Sequence, residues 1–263
     1  MFEHDFPVRV VQRFGWAHSL DFSPDLAERF RRTPADWPFI VHVAEAVNGN
    51  GAQEIHQLKR LGALDGRTIL VHAVGLDRGG LRVAAEAGAA IVWCPSSNMF
   101  VLCRTLGSEA LHGPVIMALA TDSPLTADGD LIDEIRIASK LGGLGAEHIY
   151  GMVTEQSARI LHLNVGSLGD GEADLIAVRD CGETPAETLL RLDLQMVMIA
   201  GGIKLISPPL AAQLPPDAWR GLHRLTVEGR GTYMVQADVP SLYEDAARAL
   251  GSDIRLGGKR VCL

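Results

Sequence analysis

The sequence predicts an α/β fold in two parts, a parallel sheet with helical crossovers followed by a smaller β-rich unit. Over the first two-thirds of the 263 residues, short apolar runs alternate with helical patterns. The apolar runs are rich in β-branched residues and show little polar alternation, which is typical of strands buried on both faces. A turn-rich stretch at residues 166–171 then interrupts the alternation.

Five apolar runs are the predicted strands of the parallel sheet. They lie at residues 8–11, 39–43, 68–72, 90–94 and 115–120. Strand–helix units joined by short loops normally arrange as parallel strands with right-handed crossovers. We therefore expect these five runs to pair in parallel.

The segments that separate or follow these runs have helical spacing. Residues 53–61 and 81–87 each follow a glycine-containing turn. Residues 131–141 place apolar side chains three or four positions apart, the spacing of one helical face. These three segments are the predicted helices of the first part.

The remainder of the chain has a different pattern. Residues 173–178 are predicted to be a strand, short strands continue through 196–206, and 242–250 has the spacing of an amphipathic helix. We therefore predict a first domain at residues 1–165 and a β-rich second domain at residues 166–263.

Composition excludes several classes of protein. Hydrophobic residues make up 47% and charged residues 21%, which is typical of a globular protein and not of a disordered one. The net charge of −8 favours neither nucleic acid nor an anionic membrane as a partner. No apolar run is long enough to span a bilayer.

Cysteine usage and the first residues indicate a cytoplasmic protein. None of the four cysteines forms a C-x-x-C pair, so neither a disulfide framework nor a cysteine zinc site is expected. Residues 1–7 carry an acid where a secretory signal would carry basic residues, so no secretory leader is expected. A reducing cytoplasm is the expected location.

Polar side chains follow four consecutive predicted strands. His42 and Glu45 come at and after the end of one strand, His72 ends the next, and Asn98 and Asp122 follow the last two. In a parallel (β/α) barrel the carboxyl ends of the strands meet at one face, where the active site lies. The first part is therefore predicted to be a TIM-like (β/α) barrel portion with these residues at one mouth.

Each of these residues also has an ordinary structural interpretation. A single histidine after an apolar strand is more often a core residue than a ligand. Asp122 precedes Ser-Pro, where an aspartate commonly stabilises a turn or begins a helix. Glu45 alone could be a solvated loop residue. Their joint placement at successive strand ends favours a functional site, because chance rarely places so many together.

The residue types are suited to metal-dependent hydrolysis. Neutral imidazole and carboxylate bind zinc or iron, and a catalytic site leaves one position for water. The metal lowers the pKa of that water so that hydroxide forms near neutral pH. Glu45 lies three residues after His42, so it could reach the same mouth and move a proton to a leaving nitrogen.

The ordered motifs resemble those of a known family. They are His-Val-Ala-Glu at 42–45, Val-His-Ala at 71–73, Cys-Pro-Ser-Ser-Asn at 94–98 and Ala-Thr-Asp-Ser-Pro at 120–124. Together they resemble the amidohydrolase superfamily, in the branch of the cytosine, guanine and S-adenosylhomocysteine deaminases and the triazine chlorohydrolases. The resemblance implies about strands four to eight of the barrel, followed at residues 166–178 by the return to a β-sandwich.

The resemblance also implies residue roles. His42 and Asp122 match metal ligands, and Asp122 also matches the group that accepts the proton of the attacking water. Glu45 matches the glutamate that transfers protons to the substrate. His72 matches the histidine that polarises the substrate or orients the water. Catalytic roles are thus implied for Glu45, His72 and Asp122.

Substrate contacts and departures from the family complete the comparison. His72, Asn98 and His18 are the implied substrate-binding residues. The family's first strand ends in a His-x-His pair that supplies two metal ligands, and this chain contains no His-x-His. The first lysine is Lys59, which is too late to supply the carboxylated lysine of binuclear members. The expected cofactor is one divalent metal, zinc before iron, bound weakly or not at all by this chain alone.

Three functional hypotheses remain open. The first is a truncated metal-dependent hydrolase of a C–N bond, deaminase-like, with a small-molecule substrate such as an aminated heterocycle. The second is a non-catalytic remnant that needs a second copy or a separate N-terminal chain, because an open sheet would expose its edges. The third is an enzyme completed across a subunit interface.

Overall fold

The computed structural model describes residues 8, 10–47, 49, 51–166, 168–169, 174–251 and 253–263. The chain divides into two compact units. One consists of residues 11–166, and the other combines residues 1–10 with residues 167–263.

The unit of residues 11–166 contains a five-stranded sheet in the order β1-β2-β3-β4-β5, and every neighbouring pair is parallel. The strands are β1 (Gly15–Ala17), β2 (Phe39–Val43), β3 (Thr68–His72), β4 (Ala90–Trp93) and β5 (Met117–Leu119). The predicted parallel pairing is confirmed for the strands within the runs at 39–43, 68–72, 90–94 and 115–120. β3 is buried along its whole length, as its unbroken apolar pattern predicts.

Eight helices accompany the strands in the described part of this unit. They are α1 (Leu26–Arg32), α2 (Gly51–Arg60), α3 (Arg78–Ala87), α4 (Pro95–Leu102), α5 (Ser108–Leu111), α6 (Leu131–Leu141), α7 (Ala146–Val153) and α8 (Glu155–Ile160). Capping side chains explain where two of these helices begin. The Asp77 side chain accepts a hydrogen bond from the Gly80 N–H at 2.8 Å and begins α3. Asp130 and Asp133 form a reciprocal capping box that begins α6.

The first strand differs from the prediction. Val10 and Val11 do not belong to a strand, Arg9 lies outside the described residues, and β1 is formed by Gly15–Ala17 instead. Val10 is 36% exposed, so the apolar run at 8–11 is not a buried strand. β1 requires glycine at its start, because a Cβ on Gly15 would lie 1.9 Å from the Thr33 Oγ1.

The sheet is open. Among the described strands, β1 pairs only with β2 and β5 pairs only with β4. Its core is nevertheless well packed, since Phe39, Leu70, Ile91 and Trp93 are each 0% exposed. The Trp93 indole N–H donates to the Thr105 Oγ1 at 2.7 Å, so this buried polar atom is satisfied.

The other unit contains a seven-stranded antiparallel sheet in the order β11-β12-β9-β10-β8-β7-β6. Its strands are β6 (Leu175–Val178), β7 (Leu194–Ile199), β8 (Gly202–Ile206), β9 (His223–Val227), β10 (Gly231–Val235), β11 (Arg255–Leu256) and β12 (Lys259–Cys262). Its helices are α9 (Pro185–Arg191), α10 (Pro208–Ala211), a 3-10 helix (Pro216–Trp219) and α11 (Val239–Leu250). The predicted β-rich character is confirmed.

Two details of this unit bear on the sequence patterns. The predicted strand at 173–178 begins at Leu175, and Ala173 lies outside the described residues. The predicted helix at 242–250 is longer and begins at Val239, after the Asp238 side chain accepts from the Ser241 N–H at 3.2 Å. Among the described residues, no helix is both long and apolar enough to cross a membrane.

Candidate active site

Four predicted site residues meet at the carboxyl ends of the parallel strands. The His72 Nε2 lies 3.6 Å from the Glu45 Oε2 and 3.9 Å from the Asp122 Oδ2. The imidazoles of His42 and His72 are stacked, with ring centroids 5.3 Å apart. Parallel strands bring their carboxyl ends to the same edge, so His72 and Asp122, which are 50 positions apart in sequence, become neighbours.

His42 is held in one tautomer by the backbone. Its Nδ1 lies 2.7 Å from the His18 carbonyl oxygen, and its backbone N–H donates to the same oxygen at 2.9 Å. A carbonyl oxygen can only accept, so the proton of the neutral ring lies on Nδ1. This leaves the Nε2 lone pair of His42 available as a metal donor.

His72 is oriented by a buried amide. Its Nδ1 lies 2.8 Å from the Asn98 Oδ1, and each side chain belongs to a residue that is 1% exposed. The Asn98 Nδ2 in turn donates to the Thr105 Oγ1 at 3.4 Å, which orients the amide. Nδ1 is therefore the protonated nitrogen of His72, and Nε2 faces the two carboxylates. Asn98 is placed to orient this imidazole, and its role in substrate binding stays a prediction.

The loops at these strand ends have an unusual backbone. Ala44, His72, Ala73 and Asp122 have φ values of 53°, 70°, 55° and 58°. Residues other than glycine rarely adopt this left-handed region, and each such residue costs on the order of 1–3 kcal/mol. Such strain persists where the surrounding structure enforces it, and it concentrates at functional sites. Here it coincides with the strand ends that carry the candidate residues.

Asp122 is held by two hydroxyl groups. Its Oδ2 accepts hydrogen bonds from the Ser97 Oγ at 2.5 Å and the Thr126 Oγ1 at 3.1 Å. Partial burial by itself would raise the pKa of Asp122, but these hydrogen bonds and the nearby His72 lower it, and the net shift is downward. The carboxylate is therefore ionised at neutral pH and available to a cation.

We expect Asp122→Asn to destabilise the metal-free protein in a pH-dependent manner. Because the folded-state pKa is lowered, the ionised carboxylate stabilises the fold above the unfolded value of about 3.9. That contribution is lost as the pH falls through the lowered value. The difference in unfolding free energy between the parent and the variant should therefore shrink below about pH 4.

Chemical denaturation in the presence of a chelator, at a series of pH values, measures this difference. A difference that stayed constant from neutral pH into strong acid would show that the ionised form of Asp122 is not preferentially stabilised by the fold.

Other residues with a place at the site were not singled out by the sequence. Ser97 and Thr126 hold Asp122, and the Glu54 Oε2 accepts from the Ala44 N–H at 2.9 Å. Burial raises the pKa of Glu54, and that backbone hydrogen bond opposes the increase. The position of Ser97 directly before Asn98 was a weak indication that its hydroxyl lies at the site. Glu54 gave no such signal, because a glutamate in the first turn of a helix is ordinary.

Two further residues border the cluster without joining it. The His18 residue is exposed, and the centroid of its ring lies 4.9 Å from that of the His42 ring. Its role in substrate binding stays a prediction. Cys94 is buried, and desolvation together with the nearby Asp122 and Glu134 carboxylates raises the pKa of its thiol. Cys94 is therefore a protonated core thiol and not a nucleophile.

The donor set fits part of a mononuclear zinc or iron site. His42 supplies a free imidazole nitrogen and Asp122 supplies an ionised carboxylate, both suitable ligands. A catalytic zinc usually has three protein ligands. Among the residues that the structure describes, no group of three or more His, Cys, Asp or Glu is arranged to hold a metal ion.

A cavity adjoins the site through Thr126. It has a volume of about 400 Å³ and is lined mainly by apolar side chains, among them Met99, Phe100, Leu125 and Ile137. Its size suits a small molecule.

Comparisons with known proteins place this geometry in context. No family model matches the chain. It is 29% identical over 183 residues to a 5-methylthioadenosine/S-adenosylhomocysteine deaminase of Natronomonas pharaonis, covering 62% of the chain and 42% of that enzyme. It is 36% identical over 138 residues to an 8-oxoguanine deaminase of Pseudomonas aeruginosa, covering 48% of the chain and 30% of that enzyme. The chain thus spans less than half the length of these relatives.

Solved structures share the fold. An adenosine deaminase from Xanthomonas campestris with bound zinc matches with a TM-score of 0.68 at 22% identity, covering 89% of the chain and 55% of that structure. An atrazine chlorohydrolase from Arthrobacter aurescens in complex with zinc matches with a TM-score of 0.60 at 23% identity, covering 68% of the chain and 47% of that structure. The predicted resemblance to deaminases and chlorohydrolases is confirmed.

Proposed function

Because the chain is related to the deaminase and chlorohydrolase branch of the amidohydrolase superfamily, we propose that it carries part of a metal-dependent hydrolase of a carbon–nitrogen bond. The observation that carries this proposal is the cluster of His42, Glu45, His72 and Asp122 at the carboxyl ends of parallel strands. Deamination of a small molecule, such as an aminated heterocycle, is the reaction that these side chains suit best.

The fold proposal follows the same relationship. We propose that β1–β5 correspond to about strands four to eight of a TIM-like barrel, in a domain at residues 1–165. Residues 166–263 are proposed to include a portion of the accompanying β-sandwich. The open parallel sheet, with one strand partner each for β1 and β5 among the described strands, supports this interpretation.

Each side chain has a proposed chemical task. His42 and Asp122 would hold one divalent metal, with zinc preferred over iron. A bound metal lowers the pKa of its water ligand and so supplies hydroxide near neutral pH. Glu45 would accept a proton and deliver it to the leaving nitrogen. The His72 Nε2 lies within 4 Å of both carboxylates. With the proton of the neutral ring on Nδ1, Nε2 would orient water by accepting a hydrogen bond, and it would polarise the substrate only when it too carries a proton. The cavity beside Thr126 would accept an apolar part of the substrate.

A second candidate is a chain that needs a partner to complete the site. Two observations favour it. The described residues include no group of three or more His, Cys, Asp or Glu arranged to hold a metal ion, and both edge strands lack a second strand partner among the described strands. Unpaired edges in proteins are normally covered or paired. The partner would be a second copy or a separate chain that carries the N-terminal strands. Without it, the chain would be a non-catalytic remnant.

Metal content and ammonia release test the proposed function. We expect the purified chain to retain well under one zinc per molecule, because two protein ligands bind more weakly than three. With added zinc, we expect slow ammonia release from some members of a panel of aminated purines, pyrimidines and triazines. His42→Ala should abolish it, and His148→Ala should not, since His148 is an exposed histidine on α7 whose ring lies beside that of His112.

The outcomes separate the two candidates. Stoichiometric, tightly held zinc would overturn the expected weak site. Absence of zinc-dependent release from every substrate would reject hydrolysis by this chain. Release that appears only above a threshold protein concentration, together with sedimentation as an oligomer, would favour completion by a second copy.

A further inference from the structure

Glu134 is a buried carboxylic acid to which the proposed mechanism assigns no task. It lies on α6, and the residue is 1% exposed. Burying a carboxylate is costly unless hydrogen bonds replace its water. Its Oε2 accepts a hydrogen bond from the Ser96 backbone N–H at 3.2 Å, across 38 positions of sequence. The hydrogen-bond partner of this buried acid therefore belongs to a distant segment of the chain.

The partner of Glu134 belongs to the segment that holds two site residues. Ser96 is in the first turn of α4, where backbone N–H groups lack helical acceptors. The next residue, Ser97, donates to Asp122 at 2.5 Å, and Asn98 accepts from the His72 Nδ1 at 2.8 Å. Three consecutive residues therefore connect a buried acid, a carboxylate of the site and an imidazole of the site.

We propose that Glu134 is a positioning residue, which anchors the first turn of α4 so that Ser97 and Asn98 hold Asp122 and His72 in place. The inference rests on the proposed site but not on which substrate the site accepts. Among the described residues, the hydrogen bond of Glu134 goes to Ser96 and not to His72 or Asp122, so we assign its effect to Ser96 and not to the reacting atoms.

The burial of Glu134 agrees with this task. Desolvation raises the pKa of Glu134, hydrogen bonding by Ser96 opposes the increase, and the neighbouring Asp133 and Asp122 add to it. An apolar side chain of similar size would pack in the same place without this unfavourable burial. An acid at this position is explained by the need for an acceptor that reaches the start of α4.

Three variants separate reach, charge and hydrogen bonding. Glu134→Gln keeps the side-chain length and an acceptor oxygen but loses the charge. Glu134→Asp keeps the charge on a shorter side chain. Glu134→Ala removes the charge and the acceptor. The first readout is the tautomer of His72 by ¹⁵N NMR in the metal-free protein, which needs no substrate. The second is the affinity for added zinc, measured by competition with a chelating dye.

We expect Glu134→Gln to retain the Nδ1-protonated tautomer of His72 and the parent's zinc affinity within about twofold. Glu134→Ala and Glu134→Asp should mix the two tautomers and weaken zinc binding by about 10-fold, the lower end of the effect of losing a residue that supports a metal ligand. The matched control is Ile135→Ala. Ile135 is the next residue of α6 and is 4% exposed, so its truncation lowers stability without removing the contact with Ser96.

An unchanged His72 tautomer and zinc affinity in folded Glu134→Asp would overturn the proposal, as would equal changes in Ile135→Ala. If Glu134→Ala does not fold, Glu134→Asp and Glu134→Gln decide the question. If the Glu134 variants change the His72 tautomer but the parent protein shows no hydrolysis, the positioning role stands and the proposed function is rejected, so the two failures are distinguishable.

Discussion

Replacement of Glu45 by glutamine is expected to leave metal binding intact while lowering the hydrolysis rate by about 10²–10⁴-fold, the usual contribution of general acid–base catalysis. The Glu45 Oε2 lies 3.6 Å from the His72 Nε2, and its side chain is 32% exposed. It is therefore close to the site but free enough to visit two atoms. Glutamine keeps the shape and loses the ability to accept a proton and pass it on.

Paired measurements of metal content and turnover check this expectation in the zinc-supplemented protein. His42→Ala should lose the metal as well as the activity, because it removes a ligand. Glu147→Gln, in the first turn of α7, is the matched control and should change neither. Parental turnover by Glu45→Gln would show that Glu45 is a solvated loop carboxylate with no part in the chemistry.

Truncation of Phe39 to alanine is expected to lower the free energy of unfolding of the parallel-sheet unit by about 3–5 kcal/mol. Phe39 is 0% exposed and begins β2, which pairs with both β1 and β3. Its ring packs edge-on against Phe30 with centroids 5.1 Å apart. The cavity left by the missing ring would lie between α1 and the sheet, where neither element can collapse easily.

Urea denaturation followed by tryptophan fluorescence and circular dichroism measures this loss. Phe100→Ala is the control, because Phe100 is 71% exposed and its truncation should change stability by about 0.5 kcal/mol or less. Equal losses for the two variants would mean that Phe39 is not part of the core. Because β2 also carries His42, the Phe39 variant should bind zinc more weakly at urea concentrations at which it is partly unfolded.

Much of the parallel sheet could be predicted from the sequence, because the apolar pattern that indicates each strand lies within one short segment. The strands at 39–43 and 68–72 have the predicted bounds, since unbroken β-branched runs indicate burial on both faces. The helix at 131–141 also matches, since its apolar spacing and its acidic cap lie within one segment. The prediction of a strand at 8–11 was wrong, because apolar composition alone does not show whether a segment has a neighbouring strand to pair with.

The sequence by itself determined which chemical groups stand at the strand ends, because parallel strands deliver their carboxyl ends to one edge whatever their other contacts. Only the tertiary structure decided how those groups are held. The tautomer of His42 depends on a carbonyl oxygen 24 positions away, and Glu134 meets Ser96 across 38 positions. Such hydrogen bonds arise from the packing of separate elements, and no local pattern encodes a partner that is brought close only by the fold.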